Sequence, residues 1–217
     1  MRRAQDLEVD QERTRLPREL QAVLGTEVTP LPLHIAERAQ VYIQGDSHLL
    51  CKMMVGQAKC SDPHLMPHVT WSARKLIDFE SRGIRWWRGA AYFIEWTARA
   101  NNKGADELAS RGAQGTFFVW HDLPEQARAK EEGEVVLRCT FDGSSAPNPG
   151  ISGAGIMIWL EYPAENLKVQ ILEAGVELGW NTNNGAETAG MRLGIELVEK
   201  LLSENRRCES ALLRRPS

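Results

Sequence analysis

Four acidic residues lie where a predicted strand ends or a predicted helix begins, so each could present a carboxylate at the edge of a sheet. They are Asp46, Asp106, Asp142 and Glu187. Hard divalent ions prefer carboxylate oxygens as ligands, and clustered acids repel one another unless a cation lies between them. Two such ions about 4 Å apart can activate water and stabilise the charge of a phosphodiester under attack. If the carboxylates meet, the pattern therefore predicts a site that could bind divalent ions.

Each of these acids also has a purely structural interpretation. Asp142 precedes a glycine, which is typical of a turn at a strand end, and Asp46 precedes a serine, which is typical of a helix cap. Glu187 and Asn184 have the spacing of a capping box, and Asp106 fits the exposed face of an amphipathic helix. Only the combination of all four, each in a suitable element, favours the catalytic interpretation.

Hydrophobic periodicity predicts an α/β chain built from two halves. Residues 41–112 have the pattern β-α-α-β-α, and residues 135–205 have the pattern β-β-β-α. The predicted strands begin near residues 41, 92, 135, 155 and 168. A turn at residues 163–166 joins the last two strands into an antiparallel hairpin.

Four segments carry motifs that resemble the type 1 ribonuclease H family. Residues 141–150, an Asp followed by a Gly/Ser turn and an Asn-Pro-Gly loop, resemble the family's first strand. Residues 182–187 are similar to the start of its long central helix. Residues 45–50 resemble its fourth strand, and residues 102–109 resemble its last helix. The resemblance covers roughly residues 41–112 and 135–205.

This resemblance implies that Asp46, Asp106, Asp142 and Glu187 are the catalytic metal ligands. The implied cofactor is Mg²⁺, with two ions expected and Mn²⁺ as the alternative metal. Asp142 would be shared by both ions, with Asp46 and Glu187 on one side and Asp106 on the other. The implied activity is that of an endonuclease that hydrolyses the RNA strand of RNA–DNA hybrids and leaves 5′-phosphate and 3′-hydroxyl ends.

The motifs stand in a different order from that of the family. Here the fourth strand and last helix come before the first strand and central helix. This order predicts a circularly permuted ribonuclease H-like fold, an α/β five-stranded mixed sheet flanked by helices. The alternative is the end of one domain joined to the start of another. In the permuted fold the strands that begin near Val41 and Val135 lie side by side, which brings Asp46 and Asp142 together.

The predicted organisation has five parts. They are an accessory or disordered extension (1–40), a C-terminal-type half (41–112), a linker (113–134), an N-terminal-type half (135–205) and a tail (206–217). The extension mixes charge runs with prolines, and the linker is rich in Glu, so neither is expected to carry a core.

An RNA–DNA hybrid differs from DNA in the 2′-hydroxyls of its wide, shallow minor groove, which short polar side chains can reach. The resemblance implies that Asn148 and Asn184 contact this groove, with Asn183 as a weaker candidate. The turn at Gly143 and Ser144 would allow the backbone to approach the substrate closely. The alternative is that Asn148 has only a structural role, as a turn residue before a proline.

Two other patterns are ambiguous. Residues 85–88, Arg-Trp-Trp-Arg, are typical either of a stacking or phosphate-binding loop or of aromatic rings packed at a sheet edge, and the second interpretation is favoured. Cys60, His64 and His68, with Cys51 upstream, form a conceivable zinc site. Intervening prolines and unfamiliar spacing argue against zinc.

The composition, 42% hydrophobic and 25% charged over 217 residues, is that of a globular protein. No run of about 18 apolar residues is present, so no membrane partner and an intracellular location are expected. Four well-separated cysteines predict reduced thiols. A net charge of −3 argues against indiscriminate polyanion binding. The expected partner is an RNA–DNA hybrid, and the expected state is a monomer, with a swapped dimer as the alternative.

One departure from the family concerns the loop before the last helix. Many members carry a histidine there, thought to assist proton transfer or product release, whereas residues 99–102 are Arg-Ala-Asn-Asn. This predicts slow turnover even with metal binding intact. Two alternatives to an active enzyme therefore stay open. One is a catalytically weak or inactive nucleic-acid-binding module, and the other is a fragment of a retroelement or tandem ribonuclease H protein.

Overall fold

The computed structural model describes the backbone of residues 28–212 and the side chains of residues 28–202. The predicted extension over residues 1–27 and the end of the tail, 213–217, lie outside the described residues. The elements in chain order are α1 (Leu33–Ala36), β1 (Ala39–Gly45), α2 (His48–Met54), α3 (Met66–Ser81), β2 (Arg85–Trp86), β3 (Ile94–Trp96), α4 (Lys103–Gly112), β4 (Phe117–Trp120), α5 (Glu125–Arg128), β5 (Val135–Ala146), β6 (Gly150–Tyr162), β7 (Leu167–Asn181) and α6 (Asn183–Leu212).

A seven-stranded mixed sheet with flanking helices forms the centre of the molecule. Its strand order is β2-β1-β5-β6-β7-β4, and β3 also pairs with β1. β1 is parallel to β2, β3 and β5, whereas β5, β6, β7 and β4 are successively antiparallel. The predicted α/β class and the hairpin of β6 and β7 are confirmed. The predicted count of five strands is wrong, because β2 and β4 are also part of the sheet.

The segment predicted as a linker carries one of these additional strands. Phe117–Trp120 forms β4 along the outer edge of β7, with Phe118 opposite Ala174. Further on, Ala127 is fully buried and its carbonyl accepts a hydrogen bond of 2.9 Å from the Tyr162 hydroxyl. The four apolar residues of β4 form backbone hydrogen bonds with the otherwise open edge of β7. This pairing makes a strand of them although the residues around them are polar.

Residues 28–40 are not accessory, contrary to the prediction for residues 1–40. Leu31 and Ile35 are buried in the core, and the Leu31 N–H donates to the Leu201 carbonyl of α6 at 3.1 Å. The Arg38 guanidinium donates to the His34 and Gly133 carbonyls. These residues therefore attach the start of the described chain to α6 and to the segment before β5.

Glycines allow two helices to approach opposite faces of the sheet at backbone distance. A Cβ on Gly155 of β6 would lie 2.1 Å from the Ala105 oxygen of α4, and one on Gly143 of β5 would lie 2.0 Å from the Glu187 nitrogen of α6. Asp142 is the register partner of Gly155, so Gly143 faces the other side. α4 and α6 thus lie on opposite faces of the part of β5 that carries Asp142.

The described cysteines and helices bear on two further expectations. Cys51, Cys60 and Cys139 are free thiols in the described part of the chain. Among the described helices, none combines the length and the apolarity that crossing a bilayer requires.

Candidate metal centre

Strand register explains why two of the predicted acids meet. β1 and β5 are parallel, and Gly45 lies beside Phe141 in the last register pair. Asp46 and Asp142 are the next residues of the two strands, so they lie side by side. β1 ends at this point, whereas β5 continues to Ala146 and pairs Asp142 with Gly155 of β6. A side chain at position 45 would occupy the space of the Phe141 ring, because a Cβ there would lie 2.4 Å from it. The glycine at position 45 therefore allows the end of β1 to pack against β5 at Phe141.

Glu187 comes to the same place from α6. The absence of a side chain at Gly143 lets the first turns of α6 lie against β5. Glu187 accepts a hydrogen bond from the Ser47 hydroxyl, one residue after Asp46. Thr182 caps the helix by accepting from the Gly185 N–H at 3.1 Å, so the capping role suggested for Glu187 belongs to Thr182.

These three carboxylates form a compact group. Each of Asp46, Asp142 and Glu187 offers an oxygen, and the three oxygens lie within 4.8 Å of one another. Asp142 is 4% exposed, and the other two residues are half-buried. Within the part of the chain whose side chains are described, no other group of three acids, histidines or cysteines comes so close. The predicted proximity of Asp46 and Asp142 is confirmed.

Burial and mutual repulsion dominate the electrostatics of this group. Burial, and then the neighbouring Asp46 carboxylate, raise the pKa of Asp142 to about 8, although the Gly143 N–H donates to Asp142 Oδ1 at 2.8 Å. Burial also raises the pKa of Glu187, against the opposing hydrogen bond from Ser47. An ionised Asp142 is therefore costly unless a cation neutralises it.

Asp106, the fourth predicted ligand, lies beside the group but outside it. Its carboxyl group helps to raise the pKa of Asp142, and its Oδ1 accepts from Arg99 Nη2 at 2.7 Å. Asn102, just before α4, donates from Nδ2 to the Phe141 carbonyl at 3.0 Å, which fixes the start of α4 against β5. Three of the four predicted acids thus converge, and the fourth lies beside them and pairs with an arginine.

The predicted substrate-contacting residues lie near these acids, but the turn predicted at Gly143 and Ser144 is wrong. Both residues continue β5, paired with Ala154 and Gly153, and the space left by the missing side chain of Gly143 is filled by the backbone of α6. Asn184 lies one helical turn before Glu187. Asn148 is exposed, and its Oδ1 accepts from the Asn183 N–H at 3.0 Å. Asn148 therefore has a structural role in joining its loop to the start of α6, and it remains accessible as well.

The zinc interpretation finds no support in the geometry. The Cys51 thiol is buried and contacts the Gly45 carbonyl, whereas Cys60 contacts the Asp62 carbonyl. His68 Nδ1 lies 3.2 Å from an Arg192 nitrogen, and burial, together with Arg192, lowers the pKa of His68. These side chains are occupied separately and do not converge.

The Arg-Trp-Trp-Arg segment packs against the sheet edge, as the favoured interpretation predicts. Trp86 meets Phe93 edge to face at 5.0 Å between ring centroids, and Trp87 lies at 5.0 Å from Tyr42. Arg88 pairs with Glu134 at 2.8 Å. The rings contribute to packing at the far end of β1 from Asp46.

Sequence reasoning missed the roles of Ser47 and Arg99. Ser47 was visible only as a helix cap, yet no side-chain cap hydrogen bond is formed there and the hydroxyl contacts Glu187. Arg99 was noted only because the loop lacks a histidine. The contact of Ser47 with Glu187 joins elements distant in sequence, so no local spacing indicates it. Arg99 and Asp106 belong to neighbouring elements, and the turn at Arg99–Asn101 brings them together.

No family model, curated protein or solved structure matches this chain. The ribonuclease H resemblance therefore remains a prediction that rests on the quoted motifs.

The raised pKa of Asp142 predicts how pH changes the stability of the metal-free protein. Between about pH 4 and pH 8 the folded chain keeps the Asp142 proton that the unfolded chain loses, so stability falls as pH rises through this window. Asp142→Asn removes this penalty. We expect the variant to melt about 5 °C above wild type at pH 8.5 and close to it at pH 4.

The measurement is thermal unfolding by circular dichroism with a chelator present, for both proteins at both pH values. Equal melting temperatures at pH 8.5, or a variant that is less stable there, would contradict the burial of an uncompensated carboxyl group at this site.

Proposed function

We propose that this chain is a divalent-metal-dependent endonuclease that hydrolyses the RNA strand of RNA–DNA hybrids, with a permuted ribonuclease H-like fold. The observation that carries the proposal is the convergence of Asp46, Asp142 and Glu187 within 4.8 Å. These residues come from three elements that are far apart in the sequence, and each lies in a motif that resembles the corresponding family segment. Helix caps and turns alone do not account for three acids in one place.

The chemistry of the donor groups fits Mg²⁺ or Mn²⁺. All the converging side chains are carboxylates, the ligands that such hard ions prefer. Asp142 is nearly fully buried among other acids, so a bound cation would favour its ionisation at neutral pH, below its raised pKa of about 8. Asp46, Asp142 and Glu187 would hold a first ion, and Asp142 with Asp106 would hold a second.

Ions held there would activate water and stabilise the charge that develops on the scissile phosphate. The chain's own groups would set the geometry of the ligands. The Gly143 N–H orients Asp142 by donating to its Oδ1, and the Ser47 hydroxyl orients Glu187. Such outer contacts hold ligands in place before substrate arrives.

Selectivity for a hybrid would come from the polar residues beside the carboxylates. Asn184 and Asn148 are exposed, and the Asn148–Asn183 hydrogen bond fixes their relative positions. Short amides at this edge suit the 2′-hydroxyls of a shallow minor groove. Since one chain supplies all the acids, we propose that a monomer is sufficient.

One observation favours a second candidate function, a module that binds hybrids and cleaves them weakly or not at all. Arg99 engages Asp106, and residues 99–102 contain no histidine to move a proton. Hybrid binding with the RNA left intact would identify this function.

The test uses the full chain, Mg²⁺ and an end-labelled RNA–DNA hybrid. We expect cleavage of the RNA strand only, with 5′-phosphate products and a rate proportional to protein concentration. Cleavage of a DNA duplex of the same sequence should be at least about a hundredfold slower, because its grooves lack 2′-hydroxyls. Equal cleavage of both duplexes, or an intact hybrid, would overturn the proposed activity, and cleavage that requires a dimer would overturn the monomeric state.

A further inference from the structure

Arg99 places a positive charge at the edge of the carboxylate group. Its Nη2 lies 2.7 Å from Asp106 Oδ1. Asp106, and then Asp46 and Asp142, raise the pKa of Arg99, which shows that its charge acts on acids from three elements. A protein cation therefore already occupies the fourth predicted metal ligand.

The backbone around Arg99 is fixed although its side chain is 76% exposed. The Asn102 N–H donates to the Arg99 carbonyl at 3.0 Å, and the buried Asn102 side chain donates to the Phe141 carbonyl. Phe141 is the residue before Asp142. The turn at Arg99–Asn101 is thus joined to the strand that carries the most buried acid, and the guanidinium extends from this anchored turn.

A divalent ion bound through Asp106 would compete with the Arg99 guanidinium for the same carboxylate, of which Oδ1 already accepts from Arg99. Exposed ion pairs of this kind are weak, so a divalent ion can displace the guanidinium. Displacement still reduces the apparent affinity for an ion bound through Asp106. The ion on Asp46, Asp142 and Glu187 loses no ligand to Arg99.

We propose that Arg99 is an internal cation that competes with a divalent ion for Asp106, so that the chain without nucleic acid holds one ion strongly and a second only weakly. This inference rests on the proposed metal-dependent function. It assigns Arg99 as a positioning residue that sets the number of ions bound before substrate arrives.

The test is a titration of the full chain with Mn²⁺ alone, in which the free ion is measured by electron paramagnetic resonance. We expect Arg99→Gln to tighten the second Mn²⁺ site at least about fivefold and the first site much less. Arg99→Lys, which keeps the charge, should resemble wild type. The matched control is Arg88→Gln, because Arg88 is 78% exposed and pairs with Glu134 at 2.8 Å, far from the carboxylates.

A double-variant cycle assigns the effect to Asp106. When Asp106 is already replaced by Asn, adding Arg99→Gln should no longer tighten the second Mn²⁺ site more than the first. The competition is overturned if Arg99→Gln leaves the second site unchanged, tightens both sites equally, or has no more effect than Arg88→Gln. If wild type binds no Mn²⁺ at all, the proposed function fails and this inference fails with it. Binding is read without turnover, so a wild-type protein that binds Mn²⁺ but shows no Arg99 effect overturns the inference alone.

Discussion

Asp142→Asn is expected to lower the rate of hybrid cleavage at least about a thousandfold. Asp142 is the most buried of the acids and contacts both Asp46 and Asp106, so it is the group that both ions would share. An amide at this position removes one negative charge and one of the oxygens that could bind an ion. The loss of about 4 kcal/mol of transition-state stabilisation corresponds to this factor.

The measurement is the single-turnover rate on an RNA–DNA hybrid at saturating Mg²⁺, with both proteins purified in parallel. Asp78→Asn is the matched control, because Asp78 is a partly exposed acid of α3 that pairs with Arg82. It should cleave at the wild-type rate. An Asp142→Asn protein that is folded and retains more than a tenth of the activity would mean that the cleavage does not depend on this carboxylate.

Gly143→Ala is expected to lower the melting temperature by about 10 °C or more and to abolish strong Mn²⁺ binding. Its Cβ would lie 2.0 Å from the Glu187 nitrogen and 2.2 Å from the Ala186 carbonyl carbon, and these are backbone atoms. The helix must move, which costs on the order of 3 kcal/mol and carries Glu187 away from Asp142.

Gly104→Ala is the appropriate comparison for this change. Its new Cβ would meet only the flexible end of Met157, and alanine favours the helix over glycine. We expect it to melt within about 2 °C of wild type. Similar melting of the Gly143→Ala and Gly104→Ala proteins would show that α6 does not need its close approach to β5.

The central strands and the meeting of the acids could be predicted from the sequence because local signals agree there. The apolar runs before Asp46 and Asp142 indicate buried strands, and the motifs around them supply the order in which strands pair. The register of β1 against β5 then follows, with Gly45 beside Phe141. Asp106 was predicted with these acids, and it lies near enough to Asp142 to raise the pKa of that carboxyl group, outside the group of three.

The remaining features depend on contacts that no local pattern contains. β4 was hidden because its four apolar residues lie within a charged segment, and only the free edge of β7 makes a strand of them. Leu31 and Ile35 follow no period, yet α6 covers them. The contact of Ser47 with Glu187 likewise joins elements far apart in the sequence. Composition alone predicted that residues 28–40 and the segment around β4 lie outside the core. Contacts with distant parts of the chain place them in the fold instead.

The close packing of α4 on Gly155 of β6 affects the size of ion that the proposed site would accept. A Cβ on Gly155 would lie 2.1 Å from the Ala105 oxygen and 2.3 Å from the Ala109 nitrogen of α4. The backbone of this helix therefore packs directly on the sheet, with few side-chain atoms between them. The backbone of α6 at Glu187 is held equally close at Gly143, so the acids of both helices start from fixed backbones. Ca²⁺ needs ligand distances several tenths of an ångström longer than Mg²⁺ does and takes more ligands. If the site holds ions as proposed, two helix backbones fixed this close to the sheet would favour the smaller ion.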